Sequence, residues 1–230
     1  MKKFTSPFRD LSRFELGLWI CSMLVITLSF ILPQDKDYLT LIASLIGVTA
    51  LIFVAKGYVF GQVLTVFFAV FYGIISFYFA YYGEMITYLC MSAPAATAAV
   101  ISWLRHPYQG QKEVEVGRLT AKAVAVLLLL TAAVTVAFYF ILGALGNANL
   151  LVSTISVTTS FLASALTFLR SPYYAVAYSF NDIVLIILWS LAAAESISYL
   201  PMVICFVMFL ANDLYGFYNW KRMRKRQEKQ

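Results

Sequence analysis

Long apolar segments separated by short polar breaks run along the chain. Eight such segments can be counted, each close to the roughly 20 residues that a helix needs to cross the hydrocarbon layer of a bilayer. Their approximate limits are 14–32, 38–55, 58–82, 85–104, 120–142, 150–169, 172–194 and 197–220. The breaks hold charged residues, glycine and proline, as in PQDKD, YYGE and RSP, which favour helix ends. The pattern predicts an all-α membrane protein with eight transmembrane helices.

The distribution of basic residues tests this count independently. With eight spans and a cytoplasmic N-terminus, 16 of the 17 Lys and Arg residues fall on the cytoplasmic side, and Lys36 is the exception. Such an asymmetry is what the positive-inside rule describes. Removing any one span would put the basic N-terminal segment and the basic tail at 221–230 on opposite faces. We therefore predict a multi-pass protein with both termini in the cytoplasm.

Composition excludes several other classes of protein. Hydrophobic residues make up 62% of the chain and charged residues 12%, which leaves too little polar surface for a soluble domain. The net charge is +6. The basic residues cluster at the predicted membrane edges and are not interleaved with aromatic residues, so no nucleic-acid partner is expected. Cys21, Cys90 and Cys205 lie far apart and indicate neither disulfides nor a metal site. No cofactor is expected, and residues 1–230 are predicted to form one membrane domain.

Two parts of the chain resemble each other weakly. The third segment ends in YYGE and the seventh in AAAE, while the fourth ends in ISWLR and the eighth in YNWKR. Residues 38–104 and 150–220 are therefore predicted to form two three-helix halves, with the segment 120–142 between them. A single intervening span leaves the halves in the same orientation, and transporters with such parallel repeats bind their ligand between the halves near the midplane.

An amide and a carboxylate stand side by side in the seventh segment, in SFNDIVLIILW. Asp182 lies about eleven residues from either end of the segment, near the bilayer centre, where an ionised Asp costs about 2.5–3.5 kcal/mol on insertion scales. The residues that share or border its helical face are Tyr174, Tyr178, Asn181, Asp182 and Trp189. Hydrogen-bonding groups between aromatic rings make this face a candidate ligand site.

The eighth segment repeats the pairing in ANDLYGFYNW, where Asn212 precedes Asp213. Asp213 is shallower than Asp182, so its burial costs less. Two Asn-Asp pairs on consecutive helices favour a polar ligand site. The alternative is that these groups only join helices, because Asn and Asp can hydrogen-bond across a bundle. The sixth segment, with STISVTTSFLAS, is interpreted as small-residue helix packing.

The motifs of common enzymes do not occur in the sequence. The single histidine, His106, stands before Pro107 in the basic loop, where a turn is expected. HExxH, Walker A, GxSxG and CxxC motifs are all missing, so neither a metal hydrolase nor a nucleotide-driven pump is predicted. Asp182 and Asp213 have no candidate nucleophile or metal set beside them. The chain is therefore predicted not to be an enzyme.

Three longer segments of the sequence resemble segments of a known protein family. They are YYGEMI at 81–86, TFLRSPYYAVAYSFNDIVLIILW at 167–189 and ISYLPMVICFVMFLANDLYGFYNWKRM at 197–223. Together they resemble the PnuC family of bacterial vitamin transporters, most closely in the C-terminal half. The resemblance implies a SWEET-like 3+1+3 core preceded by an extra N-terminal helix at 14–32.

The same resemblance implies an activity. It implies facilitated diffusion of nicotinamide riboside, or of a related nucleoside-like vitamin, across the bacterial inner membrane without a coupling ion. A cytoplasmic kinase would then phosphorylate the ligand and trap it, and the protein would be a homotrimer. Family ligand contacts lie at the midplane on the seventh and eighth spans. Here those positions correspond to the Tyr178–Asp182 and Asn212–Asp213 regions, which agrees with the depth argument above.

The sequence departs from the family pattern where the ligand binds. Members carry W-x-x-W-x-x-x-(N/D) on the seventh span, whereas the corresponding residues here are Ala175, Tyr178 and Asp182. Many members also have Gln where this chain has Ala96. An aromatic clamp altered in this way holds a ligand differently. A deoxynucleoside or thiamine, carried by relatives of the family, is therefore an alternative cargo.

These observations lead to a hypothesis of a carrier whose two halves rock about a central site. The ring of the ligand stacks on Tyr178 or Trp189. Its ribose hydroxyls bond four residues, Asn181, Asp182, Asn212 and Asp213. The rival from another class is a membrane scaffold that transports nothing and whose buried Asn and Asp residues only join helices.

Overall fold

Eight long helices form the core of the structure. The computed structural model describes residues 6–31, 33, 37–78, 82–147 and 149–229. Within these ranges the helices are α1 Arg13–Ser29, α2 Tyr38–Ala55, α3 Val59–Tyr78, α4 Tyr82–Arg105, α5 Ala121–Ala144, α6 Leu150–Phe168, α7 Tyr174–Glu195 and α8 Leu200–Gln227. Each corresponds to one predicted apolar segment, so the all-α architecture is confirmed. The tail does not leave α8 at residue 220 but continues its helix to Gln227.

Seven of these helices, α2 to α8, are long and apolar enough to cross a membrane. α1 is shorter, at 17 residues, although large apolar side chains such as Phe14, Leu24 and Leu28 are exposed along it. Several residues used in the sequence analysis lie outside the described residues, among them Lys36, Tyr81 and the N-terminal residues 1–5. The described helices therefore agree with a multi-pass membrane protein.

α1 packs against α2 and α8 through a buried carboxylate. Glu15 forms a capping box with Ser12, each side chain accepting from the backbone N–H of the other. The Glu15 carboxylate also accepts hydrogen bonds from Lys56 Nζ at 3.0 Å and from the Tyr215 hydroxyl at 2.8 Å. These partners compensate for the desolvation of Glu15 and connect α1 to the other two helices.

Two groups of three helices face each other. α2, α3 and α4 pack together, as do α6, α7 and α8. The groups meet where α2 contacts α8 and where α4 contacts α6, while α5 packs chiefly on α6. Apolar side chains of α5 such as Leu129 and Phe140 remain exposed, as expected for a helix that faces lipid. The interior between the two groups is therefore the place for a site.

α4 is not a uniform α-helix, because residues Thr87–Ser92 form a π-helical turn. Pro94 follows closely and has no N–H to donate, and in a regular α-helix its ring would clash with the carbonyl group of Cys90. A wider turn relieves that clash, and π turns frequently accompany functional sites. Here Tyr88 and Ser92 of this turn line the interior space between the helix groups.

The C-terminal ends of α2, α4, α6 and α8 gather at one end of the bundle, here called the basic end. Trp103 Nε1 of α4 donates to the Thr167 carbonyl near the end of α6, at 2.9 Å. Trp220 Nε1 of α8 donates to the Val54 carbonyl near the end of α2, also at 2.9 Å. The two rings are fully buried with centroids 5.4 Å apart. Each tryptophan thus ties its own helix group to the other group.

The residue before each tryptophan makes a matching bond. The Ser102 hydroxyl donates to the Phe168 carbonyl at 2.8 Å, and Asn219 Nδ2 donates to the Ala55 carbonyl at 2.9 Å. Phe168 and Ala55 are the last residues of α6 and α2. These two pairs of crossed bonds close the bundle at the basic end.

Candidate functional site

A cavity of about 310 Å³ lies between the two helix groups. It extends to the end of the bundle opposite the basic end, where Gly83, Asn149 and Glu195 form part of its wall. Its aromatic lining consists of Tyr72, Tyr88, Trp189, Tyr199 and Phe206. The cavity is therefore built from both groups and is rich in flat side chains.

A second cavity of about 100 Å³ adjoins the first. Five residues line both cavities, namely Tyr88, Ser92, Ser160, Leu185 and Phe206. The polar wall of the smaller cavity includes Gln62, Asn181, Asp182 and Asp213. The two cavities therefore follow one another from the open end of the bundle toward the basic end.

Asp182 of α7 and Asp213 of α8 meet at the smaller cavity. Each has only 3% of its surface exposed, and the two carboxyl groups interact with each other. Asp182 Oδ2 is buried and has no hydrogen-bond partner within the described part of the chain. A buried carboxylate oxygen without a partner costs free energy. A ligand with hydroxyl or cationic groups would compensate for that cost.

Asn181 is oriented by hydroxyl groups of α6. Its Oδ1 accepts hydrogen bonds from Ser156 at 3.2 Å, from Thr159 at 2.9 Å and from Ser160 at 3.0 Å. The Ser/Thr-rich segment therefore does more than bring helices close together. It holds in place an amide that also lines the smaller cavity.

The two tyrosines of the predicted face have different surroundings. Tyr178 lines the smaller cavity, and its hydroxyl is hydrogen-bonded to Ser164 Oγ at 3.1 Å. Tyr174 is 1% exposed, and its ring packs edge-on against Trp220 with centroids 5.0 Å apart. The Tyr174 hydroxyl lies over Gly216, where an added Cβ would be 3.0 Å away. Tyr174 thus belongs to the aromatic cluster at the basic end.

Asn212 and Trp189 also lie apart from the smaller cavity. Asn212 Nδ2 donates to Ser22 Oγ of α1 at 3.0 Å and to the Met208 carbonyl at 2.8 Å, so this amide connects α8 to α1. Trp189 lines the larger cavity, with its ring centroid 5.7 Å from that of Tyr199.

The predicted ligand residues therefore divide into three groups. Tyr178, Asn181, Asp182 and Asp213 line the smaller cavity, Trp189 lines the larger one, and Tyr174 and Asn212 are absent from both linings. Helical periodicity groups residues on a face, but it does not reveal whether that face meets a cavity or a neighbouring helix. Here the tryptophan cluster covers Tyr174, and α1 covers Asn212.

Several other lining residues were not predicted from the sequence. Gln62 and Glu84 add polar groups from α3 and α4. Ser156, Ser160 and Ser164 recur every four residues and all line a cavity, and that spacing is a signal that identifies the face. Glu84 carries no such signal, because it stands at a predicted helix end, where charged residues are ordinary.

The lining carries carboxyl groups and lacks cationic ones. Glu84, Asp182, Glu195 and Asp213 contribute to the two cavities, while no Lys, Arg or His is among the described lining residues. Within the described ranges, no group of three or more His, Cys, Asp or Glu side chains could hold a metal ion. The site therefore suits a neutral or cationic solute with hydroxyl groups and disfavours an anion.

Comparisons with known proteins give a consistent result. Residues 37–222 match the family model described as "Nicotinamide mononucleotide transporter". The chain is 28% identical over 229 residues to the nicotinamide riboside transporter PnuC of Neisseria mucosa, covering 97% of this chain and 86% of that protein. It is 23% identical over 211 residues to the protein of the same name from Haemophilus influenzae, covering 91% and 90%.

A solved structure is similar as well. It is described as "Crystal structure of the Vitamin B3 transporter PnuC", and it superposes with a TM-score of 0.79 at 25% sequence identity. The superposition covers 94% of each chain. The likeness therefore extends over the helix bundle and is not confined to one half.

Proposed function

This chain belongs to the nicotinamide mononucleotide transporter family, and on that premise we propose that it carries nicotinamide riboside, or a closely related nucleoside-like vitamin, across a bacterial inner membrane by facilitated diffusion. The resemblance to PnuC inferred from the sequence is confirmed by its relatives, and the chain is a transporter rather than an enzyme. One observation carries the choice of cargo: an aromatic cavity with carboxyl groups and no cationic side chain among its described lining residues.

The size of the larger cavity supports a nucleoside as the cargo. Small-molecule sites typically measure about 300–1,000 Å³, and this cavity, at about 310 Å³, is at the lower end of that range. The adjoining space of about 100 Å³ accommodates only part of such a molecule. The ligand therefore occupies the larger cavity and reaches into the smaller one.

The charge of the lining favours a nucleoside over its phosphate ester. A phosphate group is normally bound by Arg or Lys side chains or by backbone N–H groups at a helix start. No Arg or Lys lines the described part of either cavity, and four carboxyl groups do. A phosphate would be repelled at every depth of this route.

The proposed binding mode places the flat ring of the ligand in the larger cavity. Trp189 forms one aromatic surface there, and the Tyr72–Tyr88 pair, with ring centroids 4.6 Å apart, forms another. The sugar extends into the smaller cavity beside Tyr178. Its hydroxyls bond three residues, Asn181, Asp182 and Asp213. In this mode Tyr174 and Asn212 act indirectly, by holding the surrounding helices.

In the proposed mechanism, the two helix groups are parallel repeats. Their relative movement exposes the site to each side of the membrane in turn. We assign α2–α4 and α6–α8 to the two halves, α5 to the linker and α1 to the extra N-terminal helix. The matched crossed bonds of Trp103 and Trp220 support this assignment. Rocking of the halves would break those bonds at the basic end and open a path there.

The basic end is assigned to the cytoplasm, with both termini on that side, because its loops hold most of the basic residues. A cytoplasmic kinase then traps the cargo by phosphorylation, since the charged product no longer fits the route. The exposed face of α5 is available for the homotrimer implied by the family.

The experiment that tests this function measures uptake into liposomes that contain the purified protein. Radiolabelled nicotinamide riboside, deoxynucleosides, thiamine and nicotinamide mononucleotide are offered separately, with empty liposomes as the control. Accelerated entry of the riboside but not of the mononucleotide is expected. Faster entry of a deoxynucleoside or of thiamine identifies the alternative cargo. Entry of none of them contradicts the proposal.

A further inference from the structure

Glu84 is a half-buried residue whose carboxylate lies in the wall of the larger cavity. It lies in the first turn of α4, and the hydroxyls of Tyr72 and Ser76 of α3 interact with it. Its second oxygen, Oε2, is shielded from solvent and has no hydrogen-bond partner among the described residues. The side chain thus lines a cavity of ligand size and keeps one acceptor without a partner.

The Glu84 carboxylate has no cationic partner among the ion pairs of the described residues. Glu15, a buried carboxylate in the first turn of α1, has the ammonium group of Lys56 at 3.0 Å. By contrast, none of the ion pairs formed by the described residues includes Glu84. Desolvating a carboxylate without a nearby cation costs free energy. Glu84 is therefore expected to meet its positive partner only when a ligand is present.

We propose that Glu84 is the residue that selects a positively charged ring, as the counter-charge of the cationic heterocycle in the larger cavity. The inference rests on the proposed function and deepens it. The nicotinamide ring of the riboside carries a fixed positive charge. Tyr72 and Tyr88 line the same wall, so a ring stacked on them gains cation–π attraction while its edge faces the carboxylate.

The remaining carboxyl groups are less suited to this task. Glu195 also lines the larger cavity, but its side chain is exposed, and water weakens its attraction for a cation. Asp182 and Asp213 line the smaller cavity and interact with each other. Glu84 is the carboxylate that combines a shielded oxygen without a partner with a position beside the aromatic rings.

The test compares two ligands that share sugar and ring shape but differ in charge. They are nicotinamide riboside and its reduced form, whose dihydropyridine ring is uncharged. For Glu84→Gln we expect the affinity for the cationic riboside to fall about tenfold and that for the reduced form to change little, as measured by calorimetry on the purified protein. Binding of the reduced form also verifies that the variant is folded. Asp10→Asn, which alters an exposed carboxylate outside both cavities, is the matched control and should retain the preference for the cation.

The outcomes separate this inference from the function on which it rests. If the native protein binds the riboside and Glu84→Gln keeps the same preference for the cation, the role of Glu84 is refuted and the function stands. An equal loss for both ligands assigns Glu84 a structural role and also refutes the inference. A native protein that carries only uncharged nucleosides overturns both. Should the Gln variant fail to fold, Glu84→Asp retains the charge and must retain the cation preference.

Discussion

The carboxylates and the amide in the cavity lining differ in whether neighbouring side chains satisfy their buried oxygens. Asn181 Oδ1 receives three hydroxyl donors from α6, whereas Asp182 Oδ2 and Glu84 Oε2 receive none from the described residues. The net stabilisation from a satisfied hydrogen bond is only about 0.5–1.5 kcal/mol, but leaving a buried group unpaired costs about 1–3 kcal/mol. The bundle therefore holds Asp182 and Glu84 at a cost, which bound cargo offsets in the proposed binding mode.

Removing the Asp182 carboxylate is expected to weaken ligand binding without unfolding the protein. Asp182→Ala deletes a hydrogen-bonding group and leaves its partner on the ligand unpaired, at a cost of about 1–3 kcal/mol, which corresponds to roughly a fivefold to hundredfold rise in Kd. Calorimetric titration of the purified variant with nicotinamide riboside measures this change. Asp10→Ala, which removes the exposed partner of Lys112, is the control with unchanged affinity. Native affinity in Asp182→Ala would remove this residue from the site.

Helices α2 and α3 approach each other closely near the basic end. Gly61 of α3 lies so close to α2 that an added Cβ would be 2.4 Å from the backbone nitrogen of Val54 and 2.7 Å from the carbonyl carbon of Phe53. Backbone atoms of a packed helix cannot move aside as a side chain can. The α2–α3 pair therefore depends on a glycine at this position.

Gly61→Ala should accordingly destabilise the bundle. Forced separation of two packed helices costs roughly 1–3 kcal/mol, which lowers Tm by roughly 5 °C in a chain of this size. Thermal unfolding in detergent, followed by tryptophan fluorescence, gives the value. Gly17→Ala in α1 is the matched control, because nothing lies within 4 Å of its added Cβ. Equal Tm values for the two variants would contradict the close packing.

The crossed indole bonds predict how the basic end opens. Replacing both tryptophans, Trp103→Phe and Trp220→Phe, keeps aromatic rings but removes the two N–H donors to α6 and α2. The closed arrangement loses about 1 kcal/mol for each of the two bonds, so openings at this end become roughly thirtyfold more frequent. A cysteine at Ser164, in a background without native cysteines, should then react faster with an impermeant maleimide added from the cytoplasmic side.

Trp19→Phe is the control for that experiment. It removes an indole donor to Thr49 between α1 and α2, away from the crossed bonds. Its labelling rate should match that of the parent protein. Faster labelling in the control as well would mean that loosening of the bundle, and not release of the basic end, exposes Ser164.

At the scale of the whole molecule, one interior route connects the cavities and ends at a closed surface. The larger cavity begins at the end of the bundle opposite the basic end, the smaller one continues from it, and the tryptophan cluster lies at the basic end. In the proposed mechanism, this arrangement admits cargo from one side only until the halves move. The sequence has no Walker A motif, so nucleotide binding by this chain is not expected to drive that movement.

We therefore expect transport to equilibrate the cargo without accumulating it. In liposomes containing the protein, the internal concentration of nicotinamide riboside should level off at the external value, with or without proton and sodium gradients. Enclosing a riboside kinase and ATP should convert equilibration into accumulation, because the phosphorylated product is retained. Accumulation above the external level without the kinase, and its loss on adding an ionophore, would reveal ion coupling instead.

Much of the architecture could be predicted because a bilayer imposes strict lengths on its helices. α2, at Tyr38–Ala55, has the predicted limits, and α7, at Tyr174–Glu195, differs from prediction by about two residues. Of the two predicted Asn-Asp pairs, Asn181, Asp182 and Asp213 line the smaller cavity and Asn212 does not. Glu84 could not be predicted, since its place in the cavity wall arises from contact with α3 and not from its neighbours in sequence.

The sequence by itself determined the class, the number of helices and the family, because apolar length and local motifs are properties of consecutive residues. Only the tertiary structure decided which polar residues face open space. Tyr174 and Asp182 share a helical face, yet Trp220 covers the first while the second lines a cavity. The physical reason is that a cavity is the space that several helices leave between them, and its shape depends on residues far apart in the chain.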